Sequence, residues 1–338
     1  MYKKFLSPIL FLFDPEFIHN VTFTIIKLLF KIPLFEFFVE KLYKLDHPSL
    51  KTKILGIDFP NPVGMAAGFD KNATHINEFE KFGFGFIEVG TITPEPQKGN
   101  PKKRLFRLKD DSAIINRMGF NNDGLKTIKA RLTNKKSIIV GGNIGKNKNT
   151  PNKDAKKDYL TCFKELYDIL DYFVINVSSP NTIGLRELQS KFFLNDLFKD
   201  INSFRNSNKI SKPVLLKISP DLTKKKVDEI LHVISKNDID GIIATNTTID
   251  NHNLKSKSKY EKGGISGVPL FEKSNSMISY ISKKTKGKLP IIGVGGIQSP
   301  DDAIKKIRAG ACLVQLYTGI IYEGPGLIKK INKKLVSV

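Results

Sequence analysis

Asp70-Lys71, Thr91, Asn143, Asn176 with Ser178-Ser179, Lys217, Thr245-Asn246-Thr247, Gly295-Gly296 and Tyr317-Thr318 share one setting in this sequence. Each stands at the end of a short apolar or β-branched run. The inventory is amides, hydroxyls, lysines and glycine backbone. Asp70 is the only acid among these positions, so no pair of carboxylates is spaced for glycosidase-type acid–base work. Asn both donates to and accepts from a planar heterocycle bearing carbonyl and N–H groups. Lys217 follows three apolar residues, 214-VLL-216, and is predicted to point inward, where it could stabilise negative charge on a reduced ring. A lysine snorkelling at a rim is the alternative. Taken singly, such residues cap helices or permit tight turns. Recurring at the end of every run, they predict a functional mouth.

The runs that must position them are 62-PVGMAAG-68, 84-FGFIEVGT-91, 138-IIVGGNIG-145, 172-YFVINVSS-179, 214-VLLKISP-220, 241-GIIATNTT-248, 290-PIIGVGG-296 and 312-CLVQLYT-318. They are continuous rather than alternating, as parallel strands covered on both faces should be. Helical patterns such as 222-LTKKKVDEILHVISK-236 and 301-DDAIKKIRAG-310 separate most of them. The fold class predicted is therefore α/β, a (β/α)8 barrel in which the C-terminal strand ends build the site. A doubly wound sheet is the runner-up, weakened because no GxGxxG follows the first strand. An excursion through 94-PEPQKGNPKKRLFRL-108 belongs between the second and third strands. The loops after the last two strands, 293-GVGGIQSPDD-302 and 317-YTGIIYEGPG-326, are glycine-rich and suit a phosphate. One phosphate site beside a mouth of amides suggests a mononucleotide such as FMN, although spacing leaves other phosphorylated ligands open.

Composition narrows the partners. The formal charge of +22 raises the question of nucleic acid, but lysines are scattered, as in 146-KNKN-149 and 153-KDAKK-157, with no Arg-rich stripe. No nucleic-acid partner is expected; the excess could favour an anionic ligand or membrane surface. Cys162 and Cys312 have no metal-ligand spacing, and the five histidines form no HExxH or paired motif, so no metal is expected. The first residues differ from the rest, holding nine of the 24 phenylalanines between Phe5 and Phe38. Asp14-Pro15-Glu16 reads as an N-cap, a first-turn proline and a first-turn acid, opening a helix through 17–32; Pro33 opens a second, 34–45. Neither is a convincing membrane span. A signal peptide competes but lacks a small-residue cleavage site. A pair of helices lying on a membrane or lining an apolar entrance is favoured, with a plug for one barrel end as the alternative. The division expected is an extension over 1–46 and a barrel over 47–338.

The strings 64-GMAAGFDKN-72, 87-IEVGTITPEPQKGNPKKRLFRL-108, 115-INRMGFNNDG-124, 143-NIGKNK-148, 175-INVSSPNTIGLR-186, 243-IATNTT-248, 263-GGISG-267 and 291-IIGVGGI-297 resemble, in order, the quinone-dependent (class 2) dihydroorotate dehydrogenases. INRMGFNN and NVSSPNT are the specific ones. The resemblance implies an FMN-binding barrel that oxidises dihydroorotate to orotate, with a membrane quinone as final acceptor. It implies FMN contacts from Ala67, Gly68, Thr91, Asn143, Asn176, Lys217, Thr245, Gly267, Gly296, Tyr317 and Thr318. Substrate contacts would come from Lys71, from Asn116, Arg117, Met118, Gly119 and Phe120, and from Asn176, Asn181, Asn246 and Thr247. Ser179 would be the base, flanked by Thr182 and Phe120 in a proton relay; class 1 relatives carry a cysteine there. His19, Arg104 and Tyr317 match polar positions at the inner end of a quinone tunnel. Peripheral attachment to the cytoplasmic face of the cell membrane follows, and a monomer is the expected state. An RNA-modifying barrel similar to the tRNA dihydrouridine synthases would need a cysteine at a strand end, and none stands there.

Overall fold

The computed structural model describes residues 2–134, 137–208, 211–252 and 254–337. Eight parallel strands close a barrel: β1 (Val63–Met65), β2 (Phe86–Ile92), β3 (Ile139–Ile144), β4 (Tyr172–Asn176), β5 (Val214–Ile218), β6 (Gly241–Ala244), β7 (Ile291–Val294) and β8 (Leu313–Leu316). Each falls on one of the predicted runs, β2 extending one residue past its run at Ile92, and β8 pairs with β1 to complete the ring. The runs are continuous because both faces are covered. Val63, Ile87, Phe173, Leu216 and Ile242 pack outward under the helices. Phe86, Tyr172, Leu215, Ile243, Ile292 and Leu313 fill the interior. This division follows the alternation of side chains along a strand.

The floor of the barrel is sealed by the hairpin Thr52–Ile54 and Ile57–Phe59, whose Phe59 meets Phe86 edge-on at 5.3 Å. Two large rings fit the narrow interior only because glycines face them. A Cβ on Gly64 would stand 2.3 Å from the Phe86 ring, and one on Gly141 2.0 Å from Tyr172 Cζ.

Over the mouth lies a three-stranded antiparallel sheet of Leu105–Leu108, Ala113–Asn116 and Gly264–Gly267. The predicted excursion through 94–108 thus ends in a strand. The sequence reading expected no sheet there, because each run is only four residues long.

The N-terminal helices are α1 (Pro15–Leu29) and α2 (Phe35–Tyr43), slightly shorter than the predicted spans. Asp14 caps α1, accepting from the backbone N–H groups of Glu16 and Phe17, both at 3.0 Å. Leu34, at φ +66°, turns the chain into α2. Phe23 inserts among Phe69, Phe79 and His75. Two glutamates of α2, Glu36 and Glu40, pair with Lys81. The outward face is apolar: thirteen of eighteen exposed large apolar side chains among the described residues lie between Phe5 and Leu42. Singly exposed apolar residues are ordinary, whereas a contiguous set is the kind of surface that other molecules cover. No single helix among the described residues is long and apolar enough to cross a membrane. The bent pair Tyr2–Leu10 and Pro15–Leu29, at 119°, passes that test by length and composition.

The glycine–ring fit makes a testable claim. Gly141→Ala overpacks the floor and should cost about 1–3 kcal/mol, read as a lower urea midpoint at unchanged slope.

Candidate functional site

Inside the barrel, above the apolar floor, Glu88 is fully buried on β2. A buried carboxylate needs donors and a counter-charge, and three other strands provide them across the barrel interior. Asn143 Nδ2 on β3 donates to Oε1 at 2.7 Å, Lys217 Nζ on β5 to Oε1 at 3.1 Å, and Gln315 Nε2 on β8 to Oε2 at 2.6 Å. Lys217 is therefore inside the barrel, as predicted, and not at a rim. Neither Glu88 nor Gln315 stands at a strand end, where the polar pattern of the sequence points. An acid in an apolar strand, on the face shared with Phe86 and Gly90, was the available signal.

Amides continue the network toward the mouth. Thr91 Oγ1 donates to Asn143 Oδ1 at 2.5 Å, and Asn176 Nδ2 donates to Thr91 Oγ1 at 2.9 Å and Asn143 Oδ1 at 3.0 Å. Asn246 Nδ2 donates to Ser178 Oγ at 3.0 Å. Asn181 Nδ2 reaches Asn116 Oδ1 at 2.9 Å, joining the loop after β4 to the mouth sheet. Every amide here is oriented by another.

One cavity gathers most of the predicted residues. Ala67, Gly68, Lys71, Thr91, Asn116, Met118, Gly119, Phe120, Asn176, Ser179, Asn181, Lys217, Thr245, Asn246, Thr247, Gly267, Gly296, Tyr317 and Thr318 line it. So do Ala66, Ser266, Leu270, Val294, Gly295, Ile297, Gln315 and Gly319, most of them not singled out from sequence. Gly295 and Gly296 have φ of +124° and +75°, conformations that L side chains rarely adopt. Ser179 is 7% exposed, and its Oγ accepts from Asn181 N–H at 3.3 Å. Thr182 is buried close in sequence, with no hydrogen-bond partner for its Oγ1.

Other predicted residues lie elsewhere. Asn143 sits beneath the cavity in the Glu88 network. Arg117 turns its side chain away, pairing with Glu261 at 2.7 Å and lying over the Phe106 ring at 4.6 Å. Asp70, the acid read at a strand end, caps its own loop, accepting from Thr74 N–H and Oγ1 and from His75 N–H. Among the described residues, no group of three or more His, Cys, Asp or Glu side chains could hold a metal ion.

A second cavity lies between α1 and the barrel, lined by Glu16, His19, Phe23, Phe69 and Asn121 among others. Lys71, Met118 and Tyr317 line both cavities. Arg104 is outside its lining but fixes one side, donating to Glu16 from Nε at 3.0 Å and from Nη2 at 2.6 Å. This bond holds the Glu16 carboxyl below the usual range. Burial pulls His19 down to about 3, aided by the nearby Lys71 charge, so its ring is neutral at physiological pH. Burial likewise pulls Lys71 down to about 8, against the attraction of Glu16. Tyr317 is pushed up to about 12 by burial.

The family model described as dihydroorotate dehydrogenase matches residues 49–338. A protein of Christiangramia forsetii named dihydroorotate dehydrogenase (quinone) is 53% identical over 99% of both chains. One of Idiomarina loihiensis with the same name is 47% identical, over 98% of this chain and 99% of its own. A crystal structure of Eimeria tenella DHODH in complex with ferulenol superposes with a TM-score of 0.85 at 40% identity, covering 96% of this chain and 91% of that one.

The buried pair at the barrel axis predicts its own fragility. Glu88→Ala leaves the Lys217 charge buried without a partner and should cost about 3–5 kcal/mol in chemical denaturation. A loss below 1 kcal/mol, within the ordinary range for exposed pairs, would mean that Lys217 finds water or another partner.

Proposed function

The chain belongs to the dihydroorotate dehydrogenase family, and from that premise we propose that it oxidises (S)-dihydroorotate to orotate in pyrimidine biosynthesis, with a quinone as final acceptor. The observation that carries this reading is the mouth cavity, where Ser179 stands among orienting amides, in a chain whose full-length relatives are named for quinone.

We assign FMN to the inner part of the cavity, and the residues fit it. Thr245 Oγ1 is buried on its wall without a protein partner among the described residues, as a group that would hydrogen-bond a polar heterocycle is. Lys217 offers positive charge to the ring and Asn176 an amide, with Ala67, Gly68, Thr91 and Asn143 around or beneath them. Gly267, Gly295, Gly296, Thr318 and Gly319 form the end suited to phosphate. Bound there, FMN would supply a two-electron acceptor for the hydride of C6 and a donor to quinone.

The chain's own residues do the rest. Lys71 binds the substrate carboxylate, while Asn116, Asn176, Asn181, Asn246 and Thr247 hold the pyrimidine edge, with the 116–120 segment closing over it. These contacts align the substrate and stabilise charge developing on its ring. Ser179 Oγ takes the proton from C5. A serine alcohol is a weak base, so that proton moves onward to water, beside the unpartnered Thr182 hydroxyl and under Phe120. The second cavity, with neutral His19, Tyr317 and the Glu16–Arg104 pair, is the approach we assign to quinone. The apolar 1–46 extension would rest on the cytoplasmic face of the cell membrane, with the protein acting as a monomer.

Two measurements test this. Purified protein should be yellow and bleach anaerobically on addition of dihydroorotate; Ser179→Ala should slow that bleaching by about 10²–10⁴-fold with flavin still bound. Reoxidation by fumarate or NAD as readily as by quinone would contradict the acceptor. Lys71 supplies a pH dependence. Only its ammonium form attracts an anion, so orotate affinity should fall as pH rises through about 8, a decline absent from Lys71→Met.

A further inference from the structure

The loop that carries Ser179 leaves β4 and re-enters ordered structure in the short helix Leu185–Gln189. Arg186, in that helix, reaches back across the loop. Its Nε donates to the carbonyl of Ser178 at 3.1 Å, fixing the peptide plane that leads into Ser179. Nη2 donates to the carbonyl of Thr247 at 3.1 Å, on the loop after β6. Nη1 pairs with Asp221 at 3.0 Å, on the loop after β5. One guanidinium therefore closes the stem of the 179–185 loop and ties it to two others. Only arginine presents such a planar fork of donors.

Asp221 is held in turn. It accepts from Lys273 Nζ at 2.7 Å, from Thr248 Oγ1 at 2.5 Å and from Ile249 N–H at 3.1 Å. These partners hold its carboxyl below the usual range, so it stays ionised beside Arg186. At the loop tip the Ile183 side chain is 91% exposed, while Asn181 and Gly184 on either side accept from Asn100 and Asn152. Neither Arg186 nor Asp221 lines the cavity.

We propose that Arg186, held by Asp221, is a positioning residue for the reaction: it fastens the loop bearing Ser179 against the loop bearing Asn246 and Thr247, fixing base and substrate relative to one another. This rests on the reading of Ser179 as the base. The clamp serves only proton abstraction from dihydroorotate and has no part in reoxidation by quinone.

The test measures the two half-reactions separately on flavin-loaded protein by anaerobic stopped flow, in Arg186→Ala, Arg186→Lys, Asp221→Asn and Ser179→Ala. Arg186→Ala should slow flavin reduction by dihydroorotate about 100-fold, the scale of a misplacement near 1 Å. Reoxidation by a soluble quinone should stay within about twofold, well inside the tenfold that 1.4 kcal/mol represents. Arg186→Lys, a point charge without the fork, should recover part of the rate. Asp221→Asn should fall between wild type and Arg186→Ala. Because the clamp acts through the base, Arg186→Ala added to Ser179→Ala should slow the reaction no further. Multiplying effects in the double variant, an equal loss in both half-reactions, or full-speed reduction in Arg186→Ala would each overturn the clamp. Full-speed reduction in Ser179→Ala alone would overturn the base assignment instead.

Discussion

A negative charge at the centre of a closed barrel organises this molecule. Glu88 is fully buried, and the cost of removing a carboxylate from water must be met within a few ångströms. Its donors come from three different strands, so the ionised side chain cross-links β3, β5 and β8 through the axis. Below it the interior is apolar and packed with rings; above it the walls are polar and leave space. The layered filling expected of such barrels stops where this charge begins. Lys217 is fixed by the same bond, so the cation offered to the cavity is already oriented.

The amides above it obey the same logic. Buried polar networks are favourable when every member is paired and costly when one is not. Asn143, Asn176, Asn246 and Thr91 orient one another. Two hydroxyls without a partner among the described residues, those of Thr245 and Thr182, lie on or near the cavity wall. A preorganised shell of this kind reduces the rearrangement that a ligand must induce.

The fold was legible in the sequence because a barrel strand advertises itself locally: 172-YFVIN-176 is apolar on both faces and bounded by turn residues. The opening of α1 was equally plain, since the cap, proline and acid at 14–16 act within one turn. The mouth sheet was not, because Leu105–Leu108 and Gly264–Gly267 each gain their pairing from the strand between them, far apart in sequence. The cavity residues came largely from strand ends and a family resemblance. Glu88 escaped because it lies below the strand ends, where attention to polar termini does not reach. Arg104 and Glu16 are each legible, the second as a first-turn acid, but their pairing across 88 residues is not, since an ion pair leaves no local pattern. Asp70 misled for the opposite reason: a strand-end acid and a loop-capping acid look identical until the loop closes on it.

The segment 94–108 illustrates what such closure does to a protein's history. Surface loops usually absorb insertions at little cost. Here Arg104 binds Glu16 of α1 and the carbonyls of Lys98 and Asn100, while Asn100 Nδ2 donates to Asn181, two residues past Ser179. The segment is thus held at one side by the N-terminal extension and at the other by the loop that carries Ser179. A residue gained or lost within it would be felt at both ends at once. Its water-facing side chains can change at little cost, whereas its length is set by two anchors that a single inserted or deleted residue would pull out of register.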